Sequence, residues 1–259
     1  MYVDRYTIKS EARERLRDAE PRPYYEGLIY TLLTGAMLAL SAFILGGKIT
    51  PEASEKYLSL LMAGAYDKAT DYLYTLSPSS LDTFVSSILQ MFQGILSIGF
   101  LIFALHTLRR EAASLWNLLD VFSRFFPFLL LVILSRLLVS LWAQLLLIPG
   151  IIALYRYRMS VFLMIDHPQL GALPSLLLSG QLMRGHKWEL FVLDLSFIGW
   201  FLLALLPLLC GVLFGWLGLL LGALGSTAVF AWLAPYHALS CAGFYEAIRS
   251  TMPVPPEQP

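Results

Sequence analysis

Charge is what this sequence has least of. Only 14% of its 259 residues are Asp, Glu, Lys or Arg, against 58% hydrophobic, and the mean hydropathy is +0.67. Soluble domains carry about 25% charged residues, and a chain of this length could not solvate its surface with so few. A water-soluble globular fold is thereby excluded. Net charge is zero, so no overall field attracts nucleic acid or anionic substrates, and no nucleic-acid partner is expected. Cysteine is scarce as well: Cys210 and Cys241 are too few for a disulfide framework, and the topology argued below sets them near opposite membrane faces. The pattern of a cleavable signal peptide is also missing. The first apolar stretch starts near Gly27, after a charged segment, with no small-residue cleavage site behind it, so it reads as a retained first span.

Catalytic and ligand-binding motifs are absent too. His106, His167, His186 and His237 are scattered with no second ligand at metal spacing, and H-K-W-E (186–189) is not H-E-x-x-H. There is no G-x-S-x-G elbow, phosphate-binding loop or dinucleotide fingerprint, and no pair of carboxylates faces another within one span. Neither an enzyme, a cofactor nor a metal is expected.

What is present is a series of long apolar runs. A hydrocarbon core about 30 Å thick needs roughly 20 apolar residues per helix. The runs 27–47, 83–108, 125–148, 151–165, 190–209 and 212–233 make six spans. The fold class is therefore all-α: a polytopic integral membrane helical bundle of about six transmembrane helices, with amphipathic interfacial helices beside it. It forms a single membrane domain over 1–250, with an outer loop at 48–82 and a proline-rich flexible tail at 251–259. The fourth span is short, carries Arg156 and Arg158, and follows Pro149-Gly150 directly, so it either crosses fully or is tilted or partly inserted. Twelve of the 18 Lys and Arg residues fall on one side of these six spans, which places both termini in the cytoplasm.

Three further segments look ordered. Residues 4–22 repeat Ile8, Ala12 and Leu16 between charges and stop at Pro21 and Pro23, giving an amphipathic helix that is either a solvated leader or laid on the inner membrane surface. Residues 171–186, with Leu173, Leu176, Leu177 and Met183, form an interfacial helix by pattern, and the tail 236–249 after Pro235 is similar. His186 and Lys187, at the inner interface, suit either a lipid phosphate or simple anchoring.

Polar residues inside spans are costly unless paired, so they carry the most information. Arg136, Ser140 and Gln144 form a stripe on the third span, and Gln90, Gly94 and Ser97 form one on the second. Asp194 lies roughly 10 Å in from Lys187, and Arg158 roughly 12 Å in from Asp166 on the same side, at 1.5 Å per residue. Matching depths pair Arg158 with Asp194, either to fix helix register or to line a polar cavity. Arg136, about 18 Å in, matches less well. On the sixth span Gly211, Gly215, Gly218, Gly222 and Gly225 recur at spacings of four and three, a small-residue face for packing within the chain or for a homodimer.

L-L-L-I-P-G-I-I (145–152), Y-R-Y-R-M (155–159) and L-M-R-G-H-K-W-E-L-F-V-L-D-L-S-F-I-G-W (182–200) resemble the bacterial membrane-protein family called domain of unknown function 975. S-E-A-R-E-R-L (10–16) and the ending Pro235, Tyr236, Phe244, Tyr245 and Glu246 are similar to it as well. The resemblance implies a multi-spanning protein of the bacterial cytoplasmic membrane. A more distant similarity, to the membrane domain beside glycerophosphodiester phosphodiesterases, implies at most a lipid-related or partner-organising context. The family defines no catalytic residues to carry over.

The reading that follows is a non-enzymatic scaffold or accessory protein whose partners are the lipid bilayer and either a second copy or another membrane protein. The alternative is a small transporter or channel with a polar site around Arg158 and Asp194. A solvated cavity reaching those two residues distinguishes the second from the first.

Overall fold

A computed structural model describes residues 4–19, 22–46, 51–111 and 116–250. Among them the regular elements are helical and there is no strand, so the fold is all-α as the composition requires. The tail 251–259 lies outside the described residues. In chain order the helices are α1 (Arg5–Asp18), α2 (Pro23–Gly46), α3 (Pro51–Met62), α4 (Tyr66–Leu76), α5 (Ser80–Arg109), α6 (Asn117–Ser123) and α7 (Phe125–Leu145). They continue as α8 (Leu147–Tyr157), α9 (Ser160–Asp166), α10 (Ala172–Leu182), α11 (Lys187–Leu195), α12 (Ile198–Leu205), a 3-10 turn (Leu206–Leu209) and α13 (Cys210–Arg249).

The chain groups into two compact units. The smaller, Leu33–Gly94, contains α3 and α4, which pack against each other within the expected outer loop. Gly64 turns the chain between them at φ +71°, a conformation glycine takes without steric cost. Tyr57, Leu61, Leu73 and Leu76 line the crevice left between the two helices.

The larger unit, Met1–Leu32 with Ile95–Pro259, is built around the second half of α13. Tyr236, Leu239, Phe244, Tyr245 and Ile248 are all buried there. This corrects the reading of 236–249 as an interfacial tail: Ala238, Ser240, Ala242 and Gly243 are small because helices approach them closely. A Cβ on Gly243 would lie 3.2 Å from Ile8 Cγ2, so α1 rests on this part of α13 with Ile8, Ala12 and Leu16 buried. The N-terminal segment is thus a docked helix rather than a solvated leader. Arg13 Nε donates to Tyr236 Oη at 2.9 Å across the same seam.

Pro235 sits inside α13, where it has no N–H to give the Ala231 carbonyl. The first turn of α2 covers the gap. A Cβ on Gly27 would meet the Ala231 carbonyl oxygen and lie 2.8 Å from Pro235 Cδ, so only glycine lets the two backbones approach this far.

Two joints differ from the sequence expectation. The third span ends at Leu145, not Ile148, and the break is the single extended residue Leu146 (φ −158°, ψ 144°). Pro149 therefore falls in the first turn of α8, where a missing N–H costs least, and Gly150 seats α8 on Ala143 of α7. The expected fourth span is correspondingly longer, Leu147–Asp166. The fifth runs from Lys187 to Leu209 and is interrupted at Ser196 and Phe197, between α11 and α12.

Five stretches among the described residues are long and apolar enough to cross a membrane: Pro23–Gly46, Ser80–Arg109, Phe125–Leu145, Leu147–Asp166 and Lys187–Leu209. Much of their apolar surface is left uncovered by the chain, including Leu32, Leu38, Phe43, Leu130 and Leu202. Exposed apolar area on this scale needs a lipid solvent. The expected sixth span forms the first part of α13.

The Gly27 approach is testable by adding one methyl group. Gly27→Ala should lower the thermal stability of the detergent-solubilised protein by about 1–3 kcal/mol, the usual cost of overpacking. Gly35→Ala, whose new Cβ would meet nothing within 4 Å, should leave it unchanged.

Candidate functional site

The polar residues of the larger unit converge on one carboxylate. Asp194 lies near the end of α11, just before the break at Ser196. Tyr155 and Arg158, three residues apart at the end of α8, share a helix face, and so do His237 and Cys241, four apart on α13. Asp194 Oδ2 accepts from Tyr155 Oη at 3.1 Å and lies 3.2 Å from Arg158 Nη1. Asp194 Oδ1 is 2.9 Å from His237 Nε2, and since a carboxylate only accepts, that nitrogen carries the proton. Arg158 Nη2 reaches Cys241 Sγ at 3.6 Å. The depth match between Arg158 and Asp194 thus corresponds to a contact, with Tyr155, His237 and Cys241 gathered around it.

Space adjoins this cluster. A cavity of about 370 Å³ is lined by Arg158, His237 and Cys241 at its polar end, and by Phe100, Phe201 and Phe230 among its apolar walls. Tyr30 and Ser97 add a second polar pair in the same lining, 3.0 Å apart. A further cavity of about 340 Å³ is lined by Arg136, Ser140, Tyr157 and again Arg158. Arg158 therefore borders both. Lys9 of α1 donates to the Ser196 carbonyl at 3.3 Å and lies 4.1 Å from the centre of the Phe197 ring, closing the break between α11 and α12. Burial there, with Arg13 and Arg5 nearby, holds the Lys9 ammonium below its ordinary pKa.

The other residues singled out from sequence are more dispersed. Arg136 and Gln144 on α7 are exposed from this chain, and Arg136 joins Arg158 through the second cavity without reaching Asp194. Gln90 is exposed on the part of α5 that belongs to the smaller unit. Arg156 turns away from the cluster; its backbone carbonyl accepts from Ser179 Oγ at 2.8 Å and its guanidinium lies against Gly180. His186 is engaged with Glu189 at 2.8 Å, beside a half-buried Lys187. Gly218 and Gly222 are buried, and Gly222 and Gly225 lie against Pro207, so that part of the glycine stripe packs within the chain. The surroundings of Gly211 and Gly215 lie outside the described residues.

Sequence reasoning missed His237 and Cys241. The signal is there, since a fourfold spacing on a helix places both donors on one face, but the pattern of this segment reads as an interfacial helix. Asp194, His237 and Cys241 offer ligand atoms that all lie within 4.8 Å of one another, a grouping the scattered histidines did not suggest. Also missed was a second charged node. Asp166, at the end of α9, takes both arms of Arg109 (2.7 and 2.9 Å), the Tyr245 hydroxyl (2.7 Å) and Arg249 (3.1 Å), while Arg109 Nε also donates to Glu246 at 2.6 Å. This node ties the ends of α5, α9 and α13 together. Glu26, in the first turn of α2, is fully buried with neither carboxyl oxygen hydrogen-bonded to a described residue.

Residues 144–252 match the family described as protein of unknown function (DUF975). That is the family the motifs resembled. The matched DUF975 region holds every residue of the Asp194 cluster, together with Asp166 and Glu246, whereas the similarity seen at 10–16 lies outside it. No curated protein and no solved structure matches the chain.

The cluster is not arranged as a thiol-nucleophile relay. A cysteine–histidine–aspartate relay needs the imidazole between the other two, with one ring nitrogen for each. Here Sγ is 3.8 Å from Nε2, the nitrogen already bound to Asp194, and 4.0 Å from Nδ1. A double-substitution cycle measures the ion pair. Asp194→Asn or Arg158→Gln alone should each cost about 3–5 kcal/mol of thermal stability in detergent by stranding a buried charge. The double variant should be more stable than the worse single one, and if it is not, the two side chains are not coupled.

Proposed function

We propose that this is a non-enzymatic multi-pass protein of the bacterial cytoplasmic membrane that holds a small polar ligand at Arg158 and Asp194, as a carrier does. The observation that carries this reading is the cavity of about 370 Å³ that reaches Arg158; Asp194 is outside its lining and meets it through Arg158 and His237. A scaffold that uses an ion pair only for helix register has no need of open space beside it, and close-packed side chains would serve better. A carrier needs such a space, with polar groups at one end to hold the ligand and apolar walls around it. An interrupted span near the site, as at Ser196 and Phe197, is a further feature that membrane transport proteins share.

The accessory-scaffold reading draws instead on the uncovered apolar faces of α2 and α7, which would suit a second copy or another membrane protein. The sidedness follows from the positive charges alone, with α1 and Arg249 in the cytoplasm.

Thiol labelling separates the two readings. In a Cys210→Ser background Cys241 is the one thiol left, and 2-sulfonatoethyl methanethiosulfonate, being charged, reaches it only through water. The carrier reading expects Cys241 to be modified in membrane vesicles, and Phe201→Trp to slow the reaction at least threefold by filling the cavity. Labelling that occurs only after denaturation would mean a dry interior and favour the scaffold.

A further inference from the structure

We infer that Asp194, His237 and Cys241 form a binding site for a zinc-like divalent transition-metal ion at the polar end of the cavity. The inference names a ligand class for the site proposed above. It stands on the donor set, whether or not the ion is carried across the membrane.

The chemistry of the donors selects the ion. A thiolate, an imidazole and a carboxylate together suit Zn²⁺ and its neighbours, whereas Mg²⁺ and Ca²⁺ take oxygen ligands. The spacing is close to what coordination requires. Bonds of about 2.0–2.3 Å at tetrahedral angles put ligand atoms roughly 3.3–3.6 Å apart. Asp194 Oδ1 and His237 Nε2 are 2.9 Å apart, and Nε2 and Cys241 Sγ are 3.8 Å apart. The three ligand atoms lie within 4.8 Å of one another, so an ion bonded to all of them requires the widest pair to close by up to about 1.3 Å. Binding through Nε2 and Sγ breaks the Oδ1–Nε2 hydrogen bond, moves the imidazole proton from Nε2 to Nδ1 and releases the thiol proton to solvent.

The surroundings hold these donors in place. Tyr155 and Arg158 occupy Asp194 Oδ2, which leaves Oδ1 turned toward His237 and Cys241. Such outer contacts are how protein metal sites orient their carboxylates and imidazoles. The His237 ring is wedged edge-on between Phe197 and Phe201, with centroids at 5.1 and 5.8 Å. Because His237 and Cys241 lie one helical turn apart, a single rigid element presents both.

Arg158 is the feature that opposes a cation, and charge counting shows what it demands. A thiolate and a carboxylate carry two negative charges against three positive ones from Arg158 and the ion. In a low-dielectric interior the remaining positive charge draws in an anion. The three protein donors leave a fourth position free, and His237, Cys241 and Arg158 all border the cavity that would hold that anion.

The test uses Co²⁺, which fills zinc sites and reports sulfur ligation by a thiolate-to-metal charge-transfer absorption. Metal-free full-length protein in detergent should take up Co²⁺ with that absorption, and Zn²⁺ should abolish it by displacement. Cys210→Ser should keep the band and Cys241→Ala should lose it. His237→Gln and Asp194→Asn should each weaken binding at least tenfold, the lower end of what losing even an outer partner of a metal ligand costs. Size-exclusion profiles establish that each variant is folded, and Cys241→Ala removes only a small side chain should the polar variants fail. Absence of the band in the wild type, its survival in Cys241→Ala or its loss in Cys210→Ser would overturn the inference. Vesicle labelling of the metal-free chain tests the cavity separately, so a reachable Cys241 that binds no metal refutes the ion and spares the cavity.

Discussion

A carboxylate placed among apolar helices has little water to solvate it, so the protein has to supply most of the donors. Asp194 draws them from two other helices: Tyr155 and Arg158 from α8, His237 from α13. Those three contacts set where α8, α11 and α13 meet and how each is rotated, because a one-residue turn of any of them would strand a charge. In hydrocarbon such a mismatch is far more costly than a misplaced leucine, whose apolar surface finds lipid as good a solvent as protein. Polar contacts therefore specify the arrangement here, and apolar packing fills in around it.

The Asp166 node applies the same logic at the ends of the helices. Its four contacts come from Arg109, Tyr245 and Arg249, on α5 and α13. Together the two carboxylates hold α13 at two levels, about half a turn and about three to four turns beyond Pro235. That offsets the weakness a proline introduces, since the second half of α13 is held by side chains where its own backbone ladder is broken. Gly243 on this half brings α1 within reach, and Ile8 packs against it.

That combination explains what could be read from the sequence and what could not. The spans were legible because about twenty apolar residues in a row have few other uses, and Arg158 and Asp194 were legible because burying a charge demands a partner at the same depth. The joints were not. Leu145, Leu146 and Leu147 look alike, yet only Leu146 is extended, and the apolar pattern runs through it unbroken. Pro149-Gly150 drew attention as the joint and instead begins the next helix. His237 and Cys241 were hidden for a different reason: the pattern of 236–249 after Pro235 reads as an interfacial helix, whereas Gly243 there is a close approach of α1. Asp166 and Arg109 are 57 residues apart, and nothing in that spacing says that they face each other.

The one-residue joint at Leu146 has a consequence for how the chain enters the membrane. Its N–H donates to the Trp142 carbonyl and its own carbonyl accepts from Gly150, so Leu146 satisfies its own peptide groups internally. Leu145, Leu146, Leu147 and Ile148 are between 64% and 73% exposed, with no charged side chain among them. A tip of this kind has nothing that must be dragged through hydrocarbon. α7 and α8 can therefore partition from the translocation machinery as one hairpin, without exporting a polar loop, and the tip gains little by emerging into water on the far side.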